Sequence, residues 1–241
     1  MLRISIIIFS YILVVGCAGS VTSSLSHTEK EALLQNSRQE FVEELSDNVV
    51  VFNSVAIGLG LPLRKYLDET ASLQGKTVLD LGAGTGVLAL IALKNGAHKA
   101  VATDINPSAV SNAIVNADLF GFRNKMDVRL VSLERPGAYS VIGNDEKFDF
   151  IVSNPPQQKL APKNIYEYSF NDLELSFLRS ILEGLGKHLT PEGKGVFALY
   201  DIGLALAEQV ADEQGLHINV HLKTANRYGN YHIVEISRRE G

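Results

Sequence analysis

The chain has 241 residues, 46% of them hydrophobic and 20% charged, with a net charge of −5 at pH 7. This composition suits one globular domain with a modest extension and excludes a low-complexity or disordered chain. No stripe of lysine and arginine offers a phosphate track, which argues against high-affinity, non-specific binding to nucleic acid, and a lone cysteine leaves no intrachain disulfide.

Residues 1–20 read as a segment apart from the fold. Arg3 precedes an apolar run over residues 4–15 that ends at Gly16-Cys17-Ala18. The run is short for a membrane span and has the length of a signal-peptide core. Residues 14–17 resemble a bacterial lipoprotein processing site with Cys17 as the lipidated residue, which predicts a membrane-associated protein anchored through Cys17. The alternatives are a buried N-terminal element, or upstream sequence foreign to a cytoplasmic protein. From Ser26 the pattern turns helical, with Thr28 and Glu31 at capping-box spacing and Ala32, Leu34, Phe41, Val42 and Leu45 carrying it to about residue 45. Residues 48–52 read as a short strand and 61–67 as a helix. Residues 21–72 are therefore expected to form a helical, solvated N-terminal extension, from which Asn53 and Ser54 could reach a substrate, and residues 73–241 the main domain.

That domain opens on TVLDLGAGTGVLA at residues 77–89. Val78, Leu79 and Leu81 read as a buried strand, and Gly82, Gly84 and Gly86 as a turn whose backbone lies against a ligand without Cβ atoms in the way. A helix over residues 85–95 then points its free N–H groups at that ligand. Val87 at the sixth place argues against a dinucleotide fingerprint, and no Gly-Lys-Ser/Thr follows, so it is not a P-loop. Residues 99–104 form the next predicted strand. It ends at Asp104, a carboxylate able to accept hydrogen bonds from both hydroxyls of a ribose or to cap the following helix. Pro107 starts that helix, with Ala109, Val110, Ala113, Ile114 and Ala117 on its apolar face.

Residues 127–132 and 147–154 give two more strands. The second runs into Asn154-Pro155-Pro156-Gln157, where two prolines make a rigid corner. An amide oxygen and a carbonyl fixed there can accept both hydrogens of a planar –NH₂ and aim the nitrogen lone pair at an electrophile. A helix over 172–188, a strand over 195–201, a helix to about 214 and a hairpin (217–223 and 231–237, turning at 226–230) complete the pattern. His217, His221 and His232 share the hairpin and read as surface or edge residues, and no metal-ligand set is present.

Taken together, VLDLGAGTG, ATDINP and IVSNPP resemble the motifs of the class I S-adenosylmethionine-dependent methyltransferases over residues 73–237, in the branch that methylates planar nitrogens of proteins or nucleobases. The resemblance implies a Rossmann-like α/β fold with a seven-stranded, mostly parallel sheet, one antiparallel strand and helices on both faces. It implies S-adenosylmethionine as cofactor, with Asp80, Gly82 and Gly84 holding its methionine part, Asp104 its ribose, and Gly86 completing the cofactor loop. Asn154, Pro155 and Pro156 would hold the acceptor nitrogen. Gln157 stands where the family places a stacking aromatic ring, which weighs toward a protein side chain or small molecule as acceptor and away from a base. Tyr166, Tyr168 and Phe170 are candidate substitutes for that ring. Adenine recognition is left open, Leu133 standing where many relatives carry an acid. The competing reading is a membrane-anchored binding protein that keeps the fold without the activity.

Overall fold

The computed structural model describes residues 25–57, 61–69, 71–226 and 229–239; residues 1–20 and Cys17 lie outside them. The main domain is built on seven strands: β3 (Thr77–Leu81), β4 (Lys99–Asp104), β5 (Met126–Leu130), β6 (Phe148–Ser153), β7 (Leu189–Tyr200), β8 (Leu216–Asn226) and β9 (Gly229–Arg238). They lie in the order β5-β4-β3-β6-β7-β9-β8. All pairings among β5, β4, β3, β6 and β7 are parallel, whereas β9 pairs antiparallel with both β7 and β8. The single reversed strand is therefore β9, inserted between β7 and the edge strand β8, as the alternating pattern of the terminal hairpin implies.

Helices cover both faces. On one face, α2 (Leu61–Glu69), α3 (Val87–Lys94) and α4 (Pro107–Leu119) bury Leu63, Leu67, Ile91 and Ile114 against Val78, Val152 and Val196. On the other, α5 (Ser176–His188) and α6 (Asp201–Glu213) bury Leu178, Ile181 and Val210 against Leu79, Ile151 and Phe197. The central strands are apolar on both sides because both faces are covered, which is why they appear in sequence as short unbroken runs. Leu173 falls outside the helix expected from residue 172. A 3₁₀ turn at Leu173–Leu175 precedes α5, and the side chain is 48% exposed.

The N-terminal segment departs from its expected form. α1 spans only His27–Gln35, opened by a capping box between Ser26 and Glu29, two residues earlier than the Thr28–Glu31 spacing suggested. The apolar residues expected to extend it belong to an antiparallel hairpin, β1 (Ser37–Val42) and β2 (Asp47–Phe52). Nor is the segment solvated. Val49 and Val51 enter one core cluster, while Val50 and Phe52 enter another with Ala109 and Val115 of α4.

The free edge of β2 is paired by side chains. Asn112 and Asn116, one turn apart on α4 and both fully buried, present their amides to it: Val50 N–H donates to Asn116 Oδ1 (2.9 Å), Phe52 N–H to Asn112 Oδ1 (2.9 Å), and both Nδ2 groups donate to the Val50 carbonyl. Asn116 Nδ2 also donates to the Thr85 carbonyl in the glycine turn (2.9 Å), so one residue fastens the extension to that turn. Asn116→Ala leaves a buried N–H and carbonyl without that partner. It is expected to lower stability by about 2–4 kcal/mol, since each unmade buried bond costs about 1–3 kcal/mol, as read from urea unfolding.

Candidate functional site

Parallel strands deliver their C-terminal ends to one edge of the sheet, and the predicted residues converge there. Ser153 Oγ donates to the Leu81 carbonyl (2.6 Å), tying the end of β6 to that of β3 and setting Asn154 beside Gly82. A cleft of about 870 Å³ opens over this edge, lined by Gly82, Gly84, Asp104, Asn154, Pro155 and Gln157 among others. Its size is in the upper part of the range for small-molecule sites.

Gly82, Gly84 and Gly86 have φ of 71°, 55° and 80°, a left-handed conformation that strains other residues. Gly82 and Ala83 N–H donate to the Thr103 carbonyl at 2.9 Å, so the loop is hung from β4. A Cβ on Gly84 would meet the Ala56 carbonyl oxygen at 3.2 Å, and one on Gly86 the Cα of Ala113 at 3.3 Å. Gly86 thus serves the packing of α3 on α4 and lies beneath the cleft.

Asp104 holds the loop from the side. Its Oδ2 accepts from Gly84 N–H and its Oδ1 from Asn106 N–H, both at 2.8 Å. Burial pushes its carboxyl up, against the pull of these amides. The helix-capping role belongs to Asn106, whose Oδ1 accepts from Ser108 N–H.

Asp80 is fully buried. Its Oδ2 accepts from Ala89 N–H in the first turn of α3 (3.2 Å), and its Oδ1 has no partner among the described residues. Burial pushes this carboxyl up to about 7, the Ala89 amide opposing and the charge of Asp104 reinforcing the shift. A carboxyl whose folded pKa is raised gives stability that is present below its unfolded value and lost as pH rises through the folded one, here between about 4 and 7. Relative to wild type, Asp80→Asn should therefore gain about 2–3 kcal/mol between pH 5 and pH 8, measured by urea unfolding at each pH.

At the corner after β6, Pro155 is buried and Asn154 half-buried. The Asn154 side chain makes no hydrogen bond among the described residues and faces the cleft. Gln157, expected to be a flexible amide, is fixed: its Nε2 donates to the carbonyls of Pro155 (3.3 Å) and Ala198 (3.1 Å), and its Oε1 accepts from Tyr200 N–H (2.8 Å). It staples the Pro-Pro corner to the end of β7. Tyr168 and Phe170 line the cleft. Tyr166 does not; it packs edge-on against Phe170 at 5.5 Å and is 41% exposed.

Several lining residues carry no sequence signal of their own. Ile105, Val131 and Pro136 supply an apolar wall beside Asp104, while Leu133 is 58% exposed and Ser132 and Glu134 point no acid into the cleft. Ala56, Ile57 and Arg64 close the cleft from the extension, and Tyr200 and Tyr231 from β7 and β9. Asn53 and Ser54 do not line it, although the Ser54 carbonyl accepts from Asn106 Nδ2. Of the hairpin histidines, His217 is exposed and His221 pairs with Glu235 at 3.3 Å. His232 is buried, 3% exposed, against the surface position expected for it, with Nε2 2.7 Å from Asp201 Oδ1. Among the described residues no cluster of His, Cys, Asp or Glu could hold a metal ion.

Seven strands in this order, with a glycine turn after β3 and an acid at the end of β4, define the class I S-adenosylmethionine-dependent methyltransferase fold. The family model of ribosomal protein L11 methyltransferase (PrmA) matches residues 63–158. The ribosomal protein L11 methyltransferase of Salmonella arizonae is 34% identical over 132 residues, 52% of this chain. The chain spans 42% of that relative's length. Among solved structures, ribosomal protein L11 methylase from Lactobacillus delbrueckii subsp. bulgaricus matches at 26% identity with a TM-score of 0.59, over 79% of this chain and 84% of that one. The tRNA m1G37 methyltransferase of M. jannaschii shares the fold at 17% identity with a TM-score of 0.61, over 85% and 58%.

The chain is thus related to the ribosomal protein L11 methyltransferases and other small methyltransferases, without singling out the planar-nitrogen branch. S-adenosylmethionine is the cofactor of this fold, and the residues fit it: the glycines keep the loop bare, and Asp104 has lone pairs left for two hydroxyls. The same kinship overturns the membrane-associated location expected from the N-terminus, since the matching family is named for a ribosomal protein. Among the described residues, no helix is long and apolar enough to cross a membrane.

Proposed function

We propose that this chain is an S-adenosylmethionine-dependent methyltransferase that acts on a planar amino or amide nitrogen, with residues 73–241 as its methyltransferase domain. The observation that carries the reading is the unpartnered Asn154 amide on a stiff corner, one strand away from the glycine turn in the same cleft. Asp80, Gly82, Gly84 and Gly86 shape the place of the cofactor's methionine part, and Asp104 takes its ribose hydroxyls. The cofactor supplies an electrophilic methyl group on a sulfonium sulfur. Asn154 Oδ1 and the Pro155 carbonyl accept the hydrogens of the acceptor –NH₂, so that its lone pair points along the line of transfer. Gln157 keeps the corner from moving. The nitrogen's proton then leaves to water, and no general base is required.

A nucleobase is the acceptor the cleft favours. Tyr168 and Phe170 stand on its wall, and an aromatic ring stacked on a base contributes about 1–3 kcal/mol. Gln157 no longer weighs against a base, because its amide is committed to backbone groups. A protein side chain is the second reading, supported by the sequence relatives, which are named for a ribosomal protein. Incubation with methyl-tritiated cofactor and the separated RNA and protein fractions of a cell extract distinguishes the two. Label in RNA is the expected result and label in protein selects the second. No label in either, from a folded chain that binds S-adenosylhomocysteine, defeats both.

A further inference from the structure

Phe177, in the first turn of α5, has no part in the mechanism above, yet it lines the cleft and is half-buried. Its ring lies against the glycine turn: a Cβ built on Gly82 would meet Phe177 Cε1 at 3.6 Å and Cζ at 3.8 Å. Gly82 follows β3 and Asn154 follows the adjacent strand β6. A ring against Gly82 therefore stands near the seam between the glycine turn and the Pro-Pro corner.

The backbone that delivers this ring is strained and tied down. Glu174 (φ 56°, ψ 17°) and Leu175 (φ 55°, ψ 35°) are consecutive left-handed residues, neither of them glycine. Such a conformation is unfavourable for side chains, persists only where the surroundings over-determine it, and clusters at functional sites. Here Leu175 is held in the core at 3% exposure. Asp172, 4% exposed, accepts from Ser176 Oγ (3.0 Å), Phe177 N–H (3.0 Å) and Leu178 N–H (3.1 Å). The Phe177 carbonyl accepts from Ser180 Oγ (2.8 Å), which itself accepts from Ala138 N–H (3.1 Å) close to the Pro136 wall of the cleft. The backbone of Phe177 is thus fixed through both its N–H and its carbonyl, and the ring is presented to the cleft before any ligand arrives.

Sheet order says which part of the cofactor meets it. Asp104, for the ribose, ends β4, and Asn154, for the acceptor, follows β6; β3 lies between them. The sulfur connects the ribose side to the methyl group in flight, so it must lie over the end of β3, where Gly82 and the Phe177 ring are. The chemistry agrees. A phenyl ring offers no hydrogen bond to a hydroxyl, carboxylate or ammonium group, but thioether sulfur makes favourable contacts with aromatic rings, often at the edge, and cations are drawn to their faces. We propose that Phe177 is the residue that contacts the cofactor's sulfur, positioned for it by Asp172 and the strained turn; the inference rests on the methyltransferase reading, whose cofactor it orients.

Calorimetric titration of wild type and Phe177→Leu with S-adenosylhomocysteine, methylthioadenosine and adenosine tests this, because the three share the nucleoside and only the first two carry sulfur. Leucine keeps an apolar side chain at a half-buried position, so the variant is expected to fold. S-adenosylhomocysteine and methylthioadenosine should each bind Phe177→Leu about two- to tenfold more weakly, the range of a lost sulfur–aromatic contact, while adenosine binds both proteins alike. A second readout is independent of affinity. The NMR signal of S-adenosylmethionine labelled with carbon-13 in its methyl group should be displaced by the nearby ring in the wild-type complex and lose that displacement in Phe177→Leu. Three outcomes overturn the proposal alone: affinities independent of Phe177, an equal loss for all three ligands, or a methyl signal at the same position in both complexes. A loss for S-adenosylhomocysteine only would assign the ring to the amino-acid arm and overturn it as well. A folded wild type that binds none of the ligands would instead overturn the methyltransferase reading, and this proposal with it.

Discussion

Asp104→Ala is expected to weaken S-adenosylhomocysteine binding by about 10²- to 10³-fold, measured by calorimetry on the folded variant. Each carboxylate oxygen already accepts one backbone N–H, from Gly84 and from Asn106, which fixes the carboxylate plane before any ligand arrives. A second lone pair on each oxygen is left for a ribose hydroxyl. Hydrogen bonds to a charged group contribute about 1.5–3 kcal/mol each, so losing two removes about 3–4 kcal/mol after partial replacement by water. The same substitution frees the Gly84 and Asn106 amides, which adds a stability loss of about 2–4 kcal/mol from two broken part-buried bonds. Asp104→Asn retains one oxygen and is expected to fall between the two. Binding within threefold of wild type in the alanine variant would remove Asp104 from the cofactor site.

The parts of this site that could be read in advance are those where chemistry and chain position coincide. Gly82, Gly84 and Asp104 each stand at the end of a strand whose apolar run is visible, and the strand ends of a parallel sheet must meet at one edge. The fold followed from the same runs, with the terminal hairpin betrayed by its alternation. What escaped notice depends on contacts distant in sequence. Asn112 and Asn116 look like ordinary polar residues in a helix, and only the approach of β2 turns their amides into a substitute strand. Gln157 looks like a missing aromatic ring, and only the neighbouring end of β7 shows its amide to be a staple. Arg64 belongs to a segment expected to be solvated, and only the packing of that segment against the sheet makes it part of the cleft wall.

Residues 37–45 departed from the expected helix for a different reason, whereas the strand expected over 48–52 is present as β2. Phe41, Val42 and Leu45 fit a helical spacing as well as a strand and turn, and short apolar patterns cannot separate the two. The structure decides for the hairpin. Val49–Phe52 can be buried on both faces only as a strand, between the helical layer and the α4 asparagines, whereas Phe41 stays 66% exposed on β1.

Asn154→Ala separates chemistry from cofactor binding more sharply than any other substitution here. Its amide has no structural partner among the described residues, and the corner is held by Pro155, Pro156 and the Gln157 staple, so truncation should leave the fold and S-adenosylhomocysteine affinity within about twofold of wild type. What is lost is the group that fixes the acceptor nitrogen. Removing one preorganised polar contact to a reacting group costs about 2.7–4 kcal/mol in catalysis, so methyl transfer should slow by about 10²- to 10³-fold. Because the contact aligns the lone pair as well as holding the hydrogens, the loss should fall mainly on the rate at saturating acceptor and less on half-saturation. Tritium transfer to the fraction labelled by wild type, under single-turnover conditions, measures it. A variant with unchanged rate would move the transfer site away from the end of β6, and the rings of Tyr168 and Phe170 would then have to position the acceptor alone.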